Sequence, residues 1–160
     1  MANTKGLVEV EQIYQDTLKN NKDNTVKKEK LKISWGGEFE FDAVVREKGE
    51  IVEIHCLSTA NCLNISGKLG NSKLFKVFHD AQMMLLTGCK KNVLVFVDDQ
   101  FYHKVLQEQQ NGRFYPSSQI SVKFWDLRTL GSEKGFEIRN LIEEIQKDSV
   151  NENKEQGRRL

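Results

Sequence analysis

Proline and cysteine are both scarce in this chain of 160 residues. Pro116 is the only proline, so the chain lacks the proline-rich composition of linkers and disordered segments. The three cysteines, Cys56, Cys62 and Cys89, are odd in number, and no two of them have the two-residue separation of a zinc knuckle. The sequence therefore indicates neither a disulfide framework nor a zinc site, and we expect reduced thiols, mostly in the core.

Long apolar runs are also missing. The longest, such as residues 93–97, are far shorter than the roughly 20 residues that span a bilayer. The N-terminus has no basic segment followed by an apolar one, as a signal peptide would. We therefore expect a cytoplasmic protein with no membrane partner.

An excess of charge of one sign is absent too, since the net charge is +1. Composition alone thus does not indicate a nucleic-acid partner. Basic residues nevertheless cluster in two stretches, residues 22–32 and 67–91. The lysines that we expect to contact DNA phosphates, in a salt-dependent way, are Lys27, Lys28, Lys68, Lys73 and Lys76.

Length and composition favour a single globular domain. A chain of 160 residues with 38% hydrophobic and 29% charged residues can bury one sizeable core. Apolar residues almost disappear after Asp148. We therefore expect one domain over residues 1–148 and a flexible C-terminal tail over residues 149–160.

The first half of the sequence predicts a helix and three antiparallel strands. Apolar residues recur at helical spacing from Thr4 to about Asn20, and a strand is expected from Leu31 to Trp35. Residues 38–45 alternate, which predicts one apolar face and one polar face. The apolar face would carry Phe39, Phe41, Ala43 and Val45, and the polar face Glu38, Glu40 and Asp42. A third strand is expected over residues 51–57, after a turn at Lys48-Gly49.

The second half predicts alternating helices and strands. A helix should begin near Asn71-Ser72 and end at Gly88, and the apolar run 93–97 is typical of a buried parallel strand. A helix over 100–109, a strand over 120–125 and a last helix complete the pattern. The expected fold is α/β, with a mixed central sheet made of a three-strand antiparallel meander and parallel strands, flanked by helices.

Three polar residues on adjacent strands could carry chemistry. Asp42 ends the polar face of the second strand, and Glu53 and His55 lie two apart on one face of the third. Strand pairing could bring the three together. Two carboxylates held close together are costly unless they are protonated or share a cation, and their oxygens suit Mg²⁺ or Mn²⁺. Such an ion can polarise a phosphodiester and lower the pKa of a bound water.

The segments 37–45 and 51–55, joined by a short turn, resemble the catalytic hairpin of the PD-(D/E)xK, or restriction-endonuclease-like, nucleases. The helix and the strand that follow are similar to the family core, so the resemblance covers roughly Gly6 to Leu127. It implies that Asp42 and Glu53 bind the metal and that a lysine orients the attacking water. It also implies a Mg²⁺- or Mn²⁺-dependent endonuclease that hydrolyses DNA, of the kind used in restriction, defence or mobile-element biology.

The chain departs from the family pattern at two positions. Phe41 replaces the proline of the motif, and His55 stands where the family places its lysine. Three explanations stay open for the lysine. His55 itself acts as a base or metal ligand; a lysine comes from a neighbouring element, the candidates being Lys68, Lys73 and Lys76; or the site is inactive.

Glu11 is a further candidate metal ligand, because this acid interrupts the apolar stripe of the first helix and first-helix acids in the family often face the metal. The alternative is that Glu11 flanks the stripe in water. A simpler interpretation also exists for Glu40, Asp42, Glu53 and His55. Alternation alone places polar side chains on the solvent-exposed face of an antiparallel sheet.

Two rival functions belong to other classes. One is a catalytically inactive module of the same fold that binds DNA or a protein partner. The other is a homodimer that associates through the Phe114-Tyr115 loop or the last helix. The same loop could instead stack on an unpaired base.

Overall fold

The computed structural model describes residues 4–19, 23–61 and 71–158. It contains four helices, a short 3₁₀ turn over residues 127–130 and five strands within those ranges. The helices are α1 (Thr4–Leu18), α2 (Asn71–Leu86), α3 (Asp99–Gln110) and α4 (Ser132–Arg158). The strands are β1 (Asn24–Lys32), β2 (Glu38–Glu47), β3 (Glu50–Ser58), β4 (Asn92–Phe96) and β5 (Ser121–Phe124).

The five strands form one mixed sheet in the order β1-β2-β3-β4-β5. The pairs β1–β2 and β2–β3 are antiparallel, and the pairs β3–β4 and β4–β5 are parallel. All five residues of β4 are buried, as expected for a strand covered on both faces. The expected α/β class, with a meander joined to parallel strands and flanked by helices, is confirmed.

Two apolar clusters lie on opposite faces of this sheet. One cluster packs α2 and α3 on the sheet and includes Phe41, Val44, Ile54, Met84, Phe96 and Phe101. The other packs α1 and α4 on the opposite face and includes Val10, Tyr14, Ala43, Val45, Val93 and Ile138. Both clusters are therefore built on the same strands.

The first strand differs from the expectation. It runs over Asn24–Lys32, and residues 33–37 form the turn to β2, in which the Ile33 amide donates to the Gly37 carbonyl at 3.0 Å. The prediction of a strand over 31–35 is therefore wrong in its bounds. The reason is that β1 is an edge strand rich in lysine, so it has few apolar residues from which alternation could be read.

A β-bulge interrupts β2 beside Asp42. Between Phe41 and Val44, a three-residue step in β2 matches a two-residue step in β1. Phe41 consequently faces the α2 side, whereas Ala43 and Val45 face the α1 side. The prediction that Phe39 and Phe41 share a face with Ala43 and Val45 is wrong, because alternation reverses across the bulge.

The last helix continues past Asp148 to Arg158, over residues for which the sequence predicts a tail. Residues such as glutamate, lysine and glutamine favour helix even where no apolar stripe remains. Among the described residues, no helix combines the length and apolarity needed to cross a membrane.

Candidate active site

The sheet divides at Asp42. The pairing of β2 with β3 ends at Ala43 and His55; beyond that point β2 pairs only with β1, while β3 continues along β4. The amide of Leu57 donates to Asp42 Oδ2 at 2.7 Å. The carboxylate of Asp42 therefore lies at the point where the two strands diverge, held by a backbone amide of β3.

Helix α1 contributes a buried polar face to this point of divergence between Asp42 of β2 and Leu57 of β3, here named the fork. Tyr14 and Gln15 lie three and four residues after Glu11, so the three share one side of the helix, and all three are buried. The amide group of Gln15 donates to the main-chain oxygen of Asp42 at 2.9 Å. Since Glu11 lies one turn earlier on the same side, its carboxylate is brought towards the fork as well.

Lys28 of β1 connects the acids of this region. Its Nζ lies 2.9 Å from Glu11 Oε2 and 3.5 Å from Glu40 Oε1. Partial burial acts to lower the pKa of Lys28, but the hydrogen bond to Glu11 and the charges of Glu11, Asp42 and Glu40 raise it above its ordinary value. The lysine is therefore held in its charged form.

The pKa of Asp42 is raised, because the nearby positive charges do not offset burial and the negative charge of Glu11. Burial, together with the nearby charge of Glu11, raises the pKa of Asp42 to about 6, against the opposing effects of the Leu57 amide, Lys28 and Lys76. The local cations thus do not offset the cost of two carboxylates at the fork. A further cation would favour the ionised form of Asp42.

Glu53 lies elsewhere on the sheet. It pairs with Val45, three residues along β2 from Asp42, which corresponds to about 10 Å of strand. Glu53 forms an ion pair with Lys91, and although partial burial acts to raise its pKa, this bond and the charges of His55, Lys91 and Lys123 lower it. Strand pairing does not bring Asp42 and Glu53 together.

His55 is buried, with 2% of its surface exposed, and a hydrogen bond of 2.8 Å joins its Nδ1 to the Tyr14 hydroxyl. Its Nε2 lies 3.9 Å from Glu53 Oε2 and has no hydrogen-bond partner among the described residues. Burial lowers the pKa of His55 to about 4, despite the charge of Glu53. The imidazole is therefore neutral at physiological pH, so it cannot supply the charge of the lysine that the resemblance implies.

The other predicted lysines have different positions. Lys68 lies outside the described residues. Lys73 donates to Asn61, at 2.8 Å to its main-chain oxygen and 2.9 Å to its Oδ1. Lys76, largely exposed and 3.5 Å from Asp80 Oδ2, has an electrostatic influence on Asp42. Lys27 is exposed on β1.

The sequence predicts Lys28 only as a contact for DNA, which stays a prediction, and it does not predict the position of Lys28 beside Glu11. Its closeness to Glu11 depends on β1 starting at Asn24, whereas the sequence predicted a strand only from Leu31. Glu11, in contrast, is predicted as a candidate ligand because it breaks the apolar stripe of α1, and that role stays a prediction. The interpretation of Glu11 as a solvated flank of that stripe is wrong, since only 6% of it is exposed.

The Phe114-Tyr115 loop does not have the exposed pair of rings that the sequence predicts. Phe114 is buried, and its ring packs edge-on against Phe78 with centroids 4.9 Å apart. It is therefore part of the core on the α2 side, and it is not available to an unpaired base or to a second copy of the chain.

The residues present allow a test of whether a divalent ion suits the fork. Within the described ranges, no three His, Cys, Asp or Glu side chains form a group that could hold a metal. Mg²⁺, however, is often held by one or two carboxylates, with water and substrate oxygens completing its shell. Glu11 and Asp42 fit that pattern, and the raised pKa of Asp42 favours it.

A comparison with family models found no match, and comparisons with curated proteins and with solved structures found no significant match.

Proposed function

We propose that this protein is a metal-dependent nuclease that hydrolyses DNA phosphodiester bonds at the fork between β2 and β3. The observation that carries the proposal is the closeness of two acids, Glu11, which is ion-paired with Lys28, and Asp42, whose pKa is raised to about 6 by burial and by the charge of Glu11. Burial of two carboxylates beside too few cations is costly, and binding of Mg²⁺ or Mn²⁺ would offset that cost.

In this proposal, Asp42 and Glu11 hold the ion. Once bound, it would polarise a phosphoryl oxygen and lower the pKa of a water molecule. The protein's own contribution is to fix the two ligands: the Leu57 amide orients the Asp42 carboxylate, and Gln15 holds the adjacent backbone. Lys28 supplies a fixed positive charge beside the ligands, where it would stabilise negative charge on the phosphate in the transition state.

The order of elements supports the nuclease class. A helix, three antiparallel strands, a helix and a parallel strand follow one another in the order that the PD-(D/E)xK resemblance implies, with Asp42 where two strands diverge. Since one fold can host many functions, this order is an argument by analogy, and the acids at the fork carry more weight.

A catalytically inactive module is the alternative, and one observation favours it. Lys28 already pairs with Glu11 at 2.9 Å, so the ammonium could replace a metal instead of assisting one. Such a module would bind DNA or a protein partner without any dependence on divalent ions.

Cleavage assays with matched variants distinguish these functions. Supercoiled, linear duplex and single-stranded DNA are incubated with the protein in Mg²⁺ and in Mn²⁺. We expect cleavage by the wild type and a loss of more than about 100-fold in Asp42→Asn and Glu11→Gln. Glu53→Gln is the matched control, because the same change removes an acid that lies away from the fork.

Calorimetric titration with Mn²⁺ separates the remaining outcomes. Mn²⁺ binding that is lost in Asp42→Asn and Glu11→Gln but kept in Glu53→Gln supports the site at the fork. An equal loss in Glu53→Gln would instead assign the ligand pair that the family resemblance implies. No cleavage and no Mn²⁺ binding by the wild type would exclude the nuclease and leave the inactive module.

A further inference from the structure

The outer face of α2 exposes two rings, those of Phe75 and His79, to solvent. Phe75 is 68% exposed, and His79, one turn later on the same face, is also largely exposed. Single exposed apolar residues are common on protein surfaces, but a large aromatic ring left in water next to a second ring is unusual.

The rings continue beyond α2. His79 packs edge-on against Phe39 of β2, with centroids 5.6 Å apart. Trp35 is 66% exposed in the turn between β1 and β2, and its neighbour Ser34 donates from its amide to the Leu86 carbonyl at the end of α2. Phe75, His79 and Phe39 thus lie along α2, and Trp35 lies in the turn beside its last residue; the four residues are here named the ring row.

The ring row begins beside the fork. Lys76 follows Phe75 in the chain, three-quarters of its side chain is exposed, and its charge acts on Asp42. Helix α2 has no acid in its first turn, and its one acid, Asp80, is half-buried and pairs with Lys76. The surface is therefore aromatic and weakly basic, which complements the flat bases and the negative phosphates of a nucleic acid strand.

We propose that the ring row binds an unpaired segment of a nucleic acid strand whose backbone passes the fork, an inference that rests on the proposed nuclease function. Bases of a single strand can stack on aromatic side chains whatever their sequence. In a duplex the faces of the bases are already stacked on one another, so the ring row discriminates against paired DNA. It selects a single strand, a flap or an open end as substrate.

Binding is measured by fluorescence anisotropy in EDTA, so that no cleavage occurs. The probes are a fluorescein-labelled oligothymidylate of about 12 nucleotides, within the usual site sizes of single-strand binders, and a labelled hairpin duplex of similar length. The variants are Phe75→Ala and Trp35→Ala. Phe136→Ala is the matched control, because Phe136 is 66% exposed but lies on α4.

We expect the oligothymidylate to bind more tightly than the duplex. Loss of one stacking ring should weaken binding by roughly 5- to 100-fold in Phe75→Ala and Trp35→Ala, with no change in Phe136→Ala. Equal effects of Phe75→Ala and Phe136→Ala, or tighter binding of the duplex, would overturn the proposal. So would self-association of the wild type that Phe75→Ala abolishes while strand binding persists, since the ring row would then be a protein interface.

This experiment can fail independently of the proposed function. A preference for duplex in EDTA would remove the ring row as a strand-binding surface and leave metal-dependent cleavage intact. Conversely, strand binding without any cleavage in Mg²⁺ or Mn²⁺ would keep the ring row and exclude the nuclease.

Discussion

Asp42 and His55 lie on the two strands of one hairpin, and burial shifts their pKa values in opposite directions. Burial raises the pKa of Asp42 to about 6 and lowers that of His55 to about 4, so each tends towards its neutral form. A lysine in place of His55 would have to bury an ammonium group under α1 without an acceptor for all its protons. A neutral imidazole, bonded to Tyr14, suits that position better.

The raised pKa of Asp42 predicts how stability depends on pH. Because the folded state binds this proton more tightly than the unfolded state, the contribution of Asp42 to wild-type stability falls as pH rises from about 4 to about 6. Asp42→Asn lacks this loss but can still accept from the Leu57 amide. We therefore expect the variant to gain up to about 3 kcal/mol in unfolding free energy relative to wild type over this range, measured by urea denaturation.

Asp16→Asn is the control for that measurement, because Asp16 is an exposed acid on α1. Its stability relative to wild type should vary little over the same pH range. If Asp42→Asn behaves like Asp16→Asn, Asp42 is not held at a raised pKa. Addition of Mn²⁺ near pH 7 should stabilise the wild type but not Asp42→Asn, since ligand binding to the folded state raises its stability.

At the scale of elements, sequence patterns predicted strongly periodic segments well and edge segments poorly. The apolar run of β4 and the spacing of Leu74, Val77, Ala81 and Leu85 in α2 indicated both elements correctly. The bounds of β1 were not predicted, because five of its nine residues are lysine or glutamate and show no apolar alternation. The bulge in β2 was not predicted either. Alternation is a pattern within one strand, whereas a bulge depends on how two strands pair.

Helix α4 depends on one glycine for its close approach to the 3₁₀ turn. A Cβ added to Gly135 would lie 2.7 Å from the carbonyl oxygen of Leu127. Glycine to alanine inside a helix normally stabilises by about 0.5–1 kcal/mol, but here the helix would have to move away from the turn. We expect Gly135→Ala to lower the free energy of unfolding by about 1–3 kcal/mol.

Asn140→Ala provides the comparison in the same helix, because Asn140 is exposed. That change should be neutral or slightly stabilising, since alanine favours helix more than asparagine does. Thermal denaturation of both variants measures the difference. A stabilised Gly135→Ala would show that α4 does not pack closely on the 3₁₀ turn.

At the scale of the whole molecule, one sheet joins two apolar clusters. Ile54 lies in the cluster on the α2 side and Ile138 in the cluster on the α1 side, and both are fully buried. Ile54→Ala and Ile138→Ala should each lower stability by about 2–5 kcal/mol. If the clusters form one domain, each variant shifts the same single transition.

Two probes test that cooperativity. Trp125 is buried and reports on the α1 side, and Trp35→Phe removes the signal of the other tryptophan. Far-UV circular dichroism reports on the helices and strands together. Urea transitions from the two probes should coincide in both variants, whereas separate midpoints would indicate that the two faces of the sheet unfold independently.

The sequence by itself determined the α/β class and the meander followed by parallel strands, and it predicts Asp42 and Glu11 as candidate metal ligands. These depend on periodicity and on the residues that interrupt it, which are local properties of the chain. Only the tertiary structure decided which acids meet. The register of β2 and β3 separates Asp42 from Glu53, and the packing of α1 instead brings Glu11 to Lys28 of β1 beside the fork. Register and helix docking arise from contacts between residues distant in the chain, so no local pattern encodes them directly.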